Sequence, residues 1–294
     1  MLTCVLVFAF GKIQAQNPDL VAAYNFAQQK QVDSSRVHID KAMSDPAVAR
    51  DAQAWYIRGF IYKDYYKAHE FTNRSSGARL EALQSFRKSI LLDSAKQFLN
   101  NNKENLKFIA VRFYNDAAQA LDTSNYLVPI QNFSMYKEIM QQIEPDMNTR
   151  LKEVEFTMAL ATIYTNLYQA NYKTRTNFLD LAKAAYTKVL KLDPNNVSAN
   201  YNMGILYYNQ AVYLIKGSDF DIDITSMDAI QDNQVQLFKQ SLPLIEKAYA
   251  LDPKKEEALL ALSGIYFGLN DFEKSKLFQE KLDEVKKGQQ NKEK

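Results

Sequence analysis

A small residue followed three places later by tyrosine occurs four times in this chain, as Gly59-Phe-Ile-Tyr62, Ala161-Thr-Ile-Tyr164, Gly204-Ile-Leu-Tyr207 and Ser263-Gly-Ile-Tyr266. Three of the four are paired with a downstream phrase that closes on Leu-Asp and a helix breaker: Leu92-Asp93-Ser94, Leu192-Asp193-Pro194 and Leu251-Asp252-Pro253. A chain that repeats such a cassette folds as stacked copies of one helix-pair unit, each unable to bury its own apolar face alone.

The apolar period between the breakers is helical almost throughout. It predicts twelve helices in six antiparallel pairs, roughly 19–30 with 33–44, 47–72 with 77–93, 103–122 with 130–143, 147–172 with 177–192, 197–216 with 228–251, and 255–269 with 271–287. Eight Gly and seven Pro in 294 residues are few, which argues against a turn-rich sheet protein. Breakers fall at Asp45-Pro46, Asp93-Ser94, Glu144-Pro145, Asp193-Pro194 and Asp252-Pro253, spaced by 48, 51, 49 and 59 residues. A proline there stops the preceding helix and is tolerated in the first turn of the next.

The stretch from Lys188 through Leu192-Asp-Pro-Asn-Asn-Val197 to Gly204, Tyr207 and Gln210 resembles the junction of two tetratricopeptide repeats. Glu246 to Pro253 followed by Leu259, Leu262, Ser263 and Tyr266 is similar, as is Trp55 with Gly59 and Tyr62. The resemblance implies an all-α fold, an alpha-alpha superhelix (TPR-like solenoid) of about six helix pairs over 17–287. It also implies that a small residue on the first helix lets the second approach closely. Ala82 with Phe86, Ala182 with Tyr186, and Ser241 with Ile245 resemble the small and large residues of the second helix. The family repeat is 34 residues, so the excess length falls between the helices of each pair and lengthens them to about 20 residues.

Residues 1–16 read differently. Leu2 to Phe10 is an apolar run, too short to span a bilayer, followed by Gly11-Lys-Ile-Gln-Ala-Gln16. This pattern is expected of a secretory signal peptide cleaved after Ala15, which would place the protein in the periplasm or elsewhere in a bacterial envelope. The alternative is an apolar helix packed on the first repeat. At the other end, 288–294 is uniformly polar and expected to be disordered.

Several chemistries are disfavoured by composition. The single cysteine, Cys4, and two histidines, His38 and His69, cannot supply a four-ligand zinc site. A net charge of +2 offers no electrostatic case for nucleic acid. Asp219-Phe-Asp-Ile-Asp223 alternates carboxylates as a calcium loop does, but Ile224 and Ile230 stand where that loop needs Gly and Glu. A solvated inter-helix loop is the expectation there. No Gly-x-Ser-x-Gly elbow and no phosphate-cradling glycine loop exists, so neither an enzyme nor a cofactor is expected. Tyr164, Tyr168 and Tyr172 form a stripe along one helix face; Tyr164 belongs to the core by the repeat register, and the other two could be core or ligand-facing.

The resemblance places the binding surface on the concave face lined by the first helix of each pair. The candidate partner-binding residues are Tyr56, Phe60 and Lys63 in one repeat, Met158 and Asn166 in another, and Tyr201, Ile205, Tyr208 and Asn209 in the next. Family members that clamp a partner's C-terminal carboxylate use Lys and Asn where Tyr56 and Phe60 stand, so this groove is expected to take apolar side-chain anchors. The expected function is a non-catalytic scaffold for a peptide or protein partner. A carbohydrate- or small-ligand-binding module using the tyrosine-rich surface is the alternative.

Overall fold

The computed structural model describes residues 17–217 and 224–290. The expected signal peptide and the Asp219–Asp223 cluster lie outside the described residues. What is described is all-α: α1 (Pro18–Gln28), α2 (Val32–Ala42), α3 (Ala52–Tyr65), α4 (Gly77–Leu92), α5 (Leu99–Ala120), α6 (Leu127–Ile143), α7 (Arg150–Ala170), α8 (Thr176–Leu192), α9 (Val197–Gly217), α10 (Ile224–Leu251), α11 (Glu256–Gly268) and α12 (Phe272–Gln290). These are the helix pairs of an α–α superhelix. The expected 47–72 helix is instead a short 3-10 turn, α3, and one π turn at Tyr66–Glu70. α12 continues to Gln290, taking in the first three residues of the expected disordered tail.

Cα packing groups the helices into two compact units. Among the described residues, one holds 17–120 and 127–147; the other holds 121–126, 148–217 and 224–290. In the first unit α1/α2, α3/α4 and α5/α6 pair, and each pair packs on the next through α2–α3 and α4–α5. In the second, α7/α8, α9/α10 and α11/α12 do the same through α8–α9 and α10–α11.

Local chemistry sets the helix ends. Asn17 and Asp51 accept from the amides of Asp19 and Gln53, each at 2.9 Å, and Pro18 opens α1 where its missing N–H costs nothing. Ser76 Oγ accepts from Arg79 N at 2.9 Å while donating to Glu70 at 2.6 Å, which ties the π turn to the start of α4. The Leu-Asp phrases end helices as expected. Asp93 follows α4 and its carboxylate accepts from the amides of Gln97 and Phe98 at 2.9 and 2.6 Å, turning the chain into α5.

The small residues of the repeated phrase allow close helix approach. A methyl placed on Gly59 would sit 2.6 Å from the Phe86 ring, and one on Gly204 2.5 Å from Ile245 Cδ1. At the latter contact Ser241 Oγ donates to the Gly204 carbonyl at 2.7 Å. Ala82, Phe86, Ala182, Tyr186, Ser241 and Ile245 are all buried, as the repeat register requires. So are Tyr62, Tyr164 and Tyr266, whereas Tyr207 is half-buried beneath the Lys183 ammonium. Tyr62 and Tyr266 donate at 2.6 Å to Asp40 and Glu246 on the neighbouring second helices.

The first unit also buries an ion pair that periodicity did not reveal. Arg79 on α4 bonds Asp116 on α5, and both are buried. The guanidinium carbon lies 4.0 Å from the Phe113 ring centroid.

Candidate functional site

Four of the nine candidate residues converge. Tyr201, Ile205, Tyr208 and Asn209 on α9 form one wall of an open cleft of about 490 Å³, with Leu260, Ala261, Gly264 and Phe267 of α11 opposite and Ser275 of α12 at its edge. A period of 3.6 brings these α9 positions to one side of the helix. Gly264 is what lets Tyr208 lie across the floor, since a methyl there would meet the tyrosyl oxygen at 2.8 Å. The Tyr208 ring also tilts against Phe238 with centroids 5.5 Å apart, which fixes its orientation.

The cleft is mostly apolar, with a pair of charges at one end. Leu260 and Phe267, across the cleft from the tyrosines on α11, are 59% and 63% exposed and give it a large apolar surface. At the Tyr201 end Lys255 Nζ lies 4.7 Å over the Tyr201 ring and 3.4 Å from the Glu257 carboxylate. Burial, then the Glu257 charge, raises the Tyr201 phenol above its ordinary range. Glu257 is held below the usual carboxylate range, first by a backbone hydrogen bond in the opening turn of α11 and then by Lys255. At neutral pH the end of the cleft therefore holds a neutral phenol beside a compensated ion pair.

The other candidates separate. Met158 is half-buried against the core of the second unit, and Asn166 is exposed on α7. In the first unit Tyr56 is buried, stacked on Phe98 at 5.4 Å and tilted against Phe86 at 6.2 Å. Lys63 is buried as well and donates to Asn105 Oδ1 at 2.6 Å while covering the Phe60 ring at 4.2 Å. Tyr56 and Lys63 thus correct the expectation of an open groove there: their surfaces are used by α5 and the turn before it.

Leu260 and Phe267 did not figure among the expected site residues, yet the register pointed to them. They stand six before and one after Tyr266, as Tyr201 and Tyr208 stand to Tyr207. Gln210 and Tyr213 were also missed. They help line a second cleft of about 250 Å³ with Tyr168 and Tyr172. His69 is exposed and 3.5 Å from Asp33. Among the described residues no group of three His, Cys, Asp or Glu side chains is placed to hold a metal ion. No helix among them is long and apolar enough to cross a membrane.

Comparison with known proteins follows the same register. The tetratricopeptide-repeat (TPR) family matches residues 177–210, the segment that runs from α8 across the Asp193-Pro194 turn into α9. No curated protein matches the sequence. Among solved structures, a monomeric mutant of IFIT1 with Gppp-AAAA is 13% identical, with a TM-score of 0.37; the match covers 90% of this chain and 49% of that one. The chain thus spans about half of that IFIT1 structure. A double mutant described as MamA RS-1 ArsTM is 13% identical with a TM-score of 0.35, covering 79% of this chain and 96% of that one. Another MamA structure is 11% identical with a TM-score of 0.26, covering 93% and 92%. Such repeats suggest a protein-interaction scaffold. Residues 177–210 thus carry a tetratricopeptide repeat, and the same small-against-large helix pairing is seen at Gly59–Phe86 and Gly204–Ile245.

Proposed function

We propose that the protein is a non-catalytic scaffold that holds a peptide segment of a partner protein in the cleft between α9 and α11. The observation that carries this reading is the cleft itself. Tyr201, Ile205 and Tyr208 face exposed Leu260 and Phe267 across about 490 Å³, room for one or two large apolar anchors. Asn209, Ser263 and Ser275 at its margins supply hydrogen-bonding groups for a peptide backbone. With Lys255 and Glu257 neutralising each other, anchoring by burial outweighs recognition by charge.

The test is peptide selection against the full chain. Retained sequences should carry aromatic or branched aliphatic residues, and Leu260→Glu with Phe267→Glu should weaken them by about 100-fold or more. Both side chains are mostly exposed and only Phe267 has a ring contact, with Phe272 at 5.5 Å, so the helical content should stay as in the parent and the melting should change little. Selected peptides that bind the double variant unchanged would remove the cleft as the site.

We further infer that the chain is exported to a bacterial envelope, which rests on the Leu2–Phe10 run and Ala15. The protein isolated from its native cell should then begin at Gln16; an intact Met1 would refute export by cleavage.

A further inference from the structure

The helices of the second unit are longer than the family repeat, and the added turns enclose a space of their own. The family match stops at Gln210, whereas α9 runs to Gly217 and α7 to Ala170. Beyond that register Tyr168 and Tyr172 meet Gln210, Tyr213 and Leu214 of α9 and Leu237 of α10 around about 250 Å³. An apolar cavity of about 150 Å³ already admits benzene.

We infer that this second cleft is a binding pocket for one flat aromatic group bearing a hydrogen-bond donor, an indole or a phenol. Three observations carry the inference, none of them involving the α9–α11 cleft. First, the walls are flat and apolar and none of the six lining residues is charged, so an ionic ligand finds no counter-charge. Second, the site already holds a ring of the proposed kind. Tyr172 stacks on Tyr213 with centroids 4.2 Å apart and planes 7° from parallel, and Tyr168 meets the same ring edge-on at 6.2 Å. Tyr172 belongs to the turn after α7, so rotation about its own torsions frees the Tyr213 face without breaking a helix. Third, Gln210 is more than nine-tenths buried and its carbonyl oxygen has no hydrogen-bond partner. A stranded acceptor of this kind favours a ligand that brings an N–H or O–H. A sugar would need several polar partners, which Leu214, Leu237 and the tyrosyl faces do not offer.

Calorimetric titration of the full chain with indole, 1-methylindole and N-acetyltryptophanamide tests the assignment. Indole should bind with a Kd of roughly 0.1–1 mM and about tenfold more tightly than 1-methylindole, which has the same shape and no donor. Gln210→Leu should bring that ratio to about one while keeping 1-methylindole binding. Tyr213→Leu, which removes the stacking face, should weaken both ligands at least about fivefold. N-acetyltryptophanamide binding as well as indole would assign the pocket to a tryptophan side chain of a polypeptide; its exclusion while indole binds would assign it to a free small molecule. No saturable indole binding up to about 10 mM, a ratio unchanged by Gln210→Leu, or tighter binding of a methyl glycoside would overturn the inference. Melting curves of both variants separate loss of the pocket from loss of the fold.

Discussion

Replacing Gly204 with alanine is the sharpest test of how the repeats are held together, because two effects of known size oppose each other. In an exposed helix interior, Gly→Ala stabilises by about 1 kcal/mol. At Gly204 the added methyl would lie 2.5 Å from Ile245 Cδ1, 2.7 Å from Ile245 Cγ1 and 3.3 Å from Leu244 Cβ. Ordinary carbon contacts are about 3.5–4.0 Å, so α10 has to retreat by about 1 Å or Ile245 has to leave its rotamer. Ile245 is fully buried and has no open side to swing into. Overpacking of this kind costs about 1–3 kcal/mol. Retreat of α10 also stretches the Ser241 hydrogen bond to the Gly204 carbonyl, a further loss of about 1 kcal/mol. The penalties outweigh the propensity gain, and Gly204→Ala should destabilise by about 1–3 kcal/mol.

Urea unfolding followed by circular dichroism measures this, with two controls. Gly77 opens α4 and its added methyl would meet nothing within 4 Å, so Gly77→Ala should be neutral or slightly stabilising. Ile245→Ala should cost about 2–5 kcal/mol alone, but with Gly204→Ala the new methyl moves into the space vacated. The pair should therefore be less destabilising than the sum of its parts by at least about 1 kcal/mol. A Gly204→Ala protein as stable as the parent, or a pair that is simply additive, would refute the reasoning that close approach at the small residue sets the pair geometry.

Two further outcomes follow from the first unit. Asp116→Ala leaves the Arg79 guanidinium buried without its counter-charge and should cost about 3–5 kcal/mol in urea melts. Replacing both by Arg79→Met and Asp116→Leu should recover most of that loss. Tyr62 provides a pH signature: burial, then the hydrogen bond to the Asp40 carboxylate, pushes its phenol up to about 12 from 10.0. Its folded value is the higher one, so its contribution is complete below pH 10 and is lost as pH rises through about 12. The parent should lose stability across that window more steeply than Tyr62→Phe, and parallel curves would exclude a linked phenol.

The helices and their register were legible because they rest on local rules: a small residue where helices touch, a large one facing it, Asp-Pro where a helix stops. Tyr56 was misplaced by a feature that leaves no periodic trace. The carboxylate of Asp93 gathers the amides of Gln97 and Phe98 and starts α5 at Leu99, four residues before the expected 103. That turn lays the Phe98 ring over Tyr56. Lys63 failed for a similar reason, since Asn105 gives its ammonium a partner on the neighbouring helix. The Arg79–Asp116 pair was invisible because its members lie 37 residues apart and neither belongs to a repeated phrase. At Tyr201 and Tyr208 no such loop intervenes, and the inner positions remain at a cleft.

α9 explains why binding faces in this chain must be tested from their far walls. Gly204 and Leu206 are buried, Tyr201, Ile205 and Tyr208 turn toward α11, and Gln210 and Tyr213 turn toward α7. At about 100° per residue Tyr201, Gly204, Ile205 and Tyr208 share one side of the helix, and Leu206, Gln210 and Tyr213 the opposite side. On each side the cleft residues stand beside ones that pack, so their removal does not report on binding alone. Tyr208→Ala, the obvious probe of the cleft, also takes away the ring that packs on Gly264 and Phe238, so loss of binding and loss of packing would arrive together. Leu260 and Phe267 face the same space from α11 with more than half their surface exposed. Changing them alters what a partner meets at the cost of one exposed ring contact, Phe267 on Phe272 at 5.5 Å, which makes α11 the side from which the cleft's role can be decided.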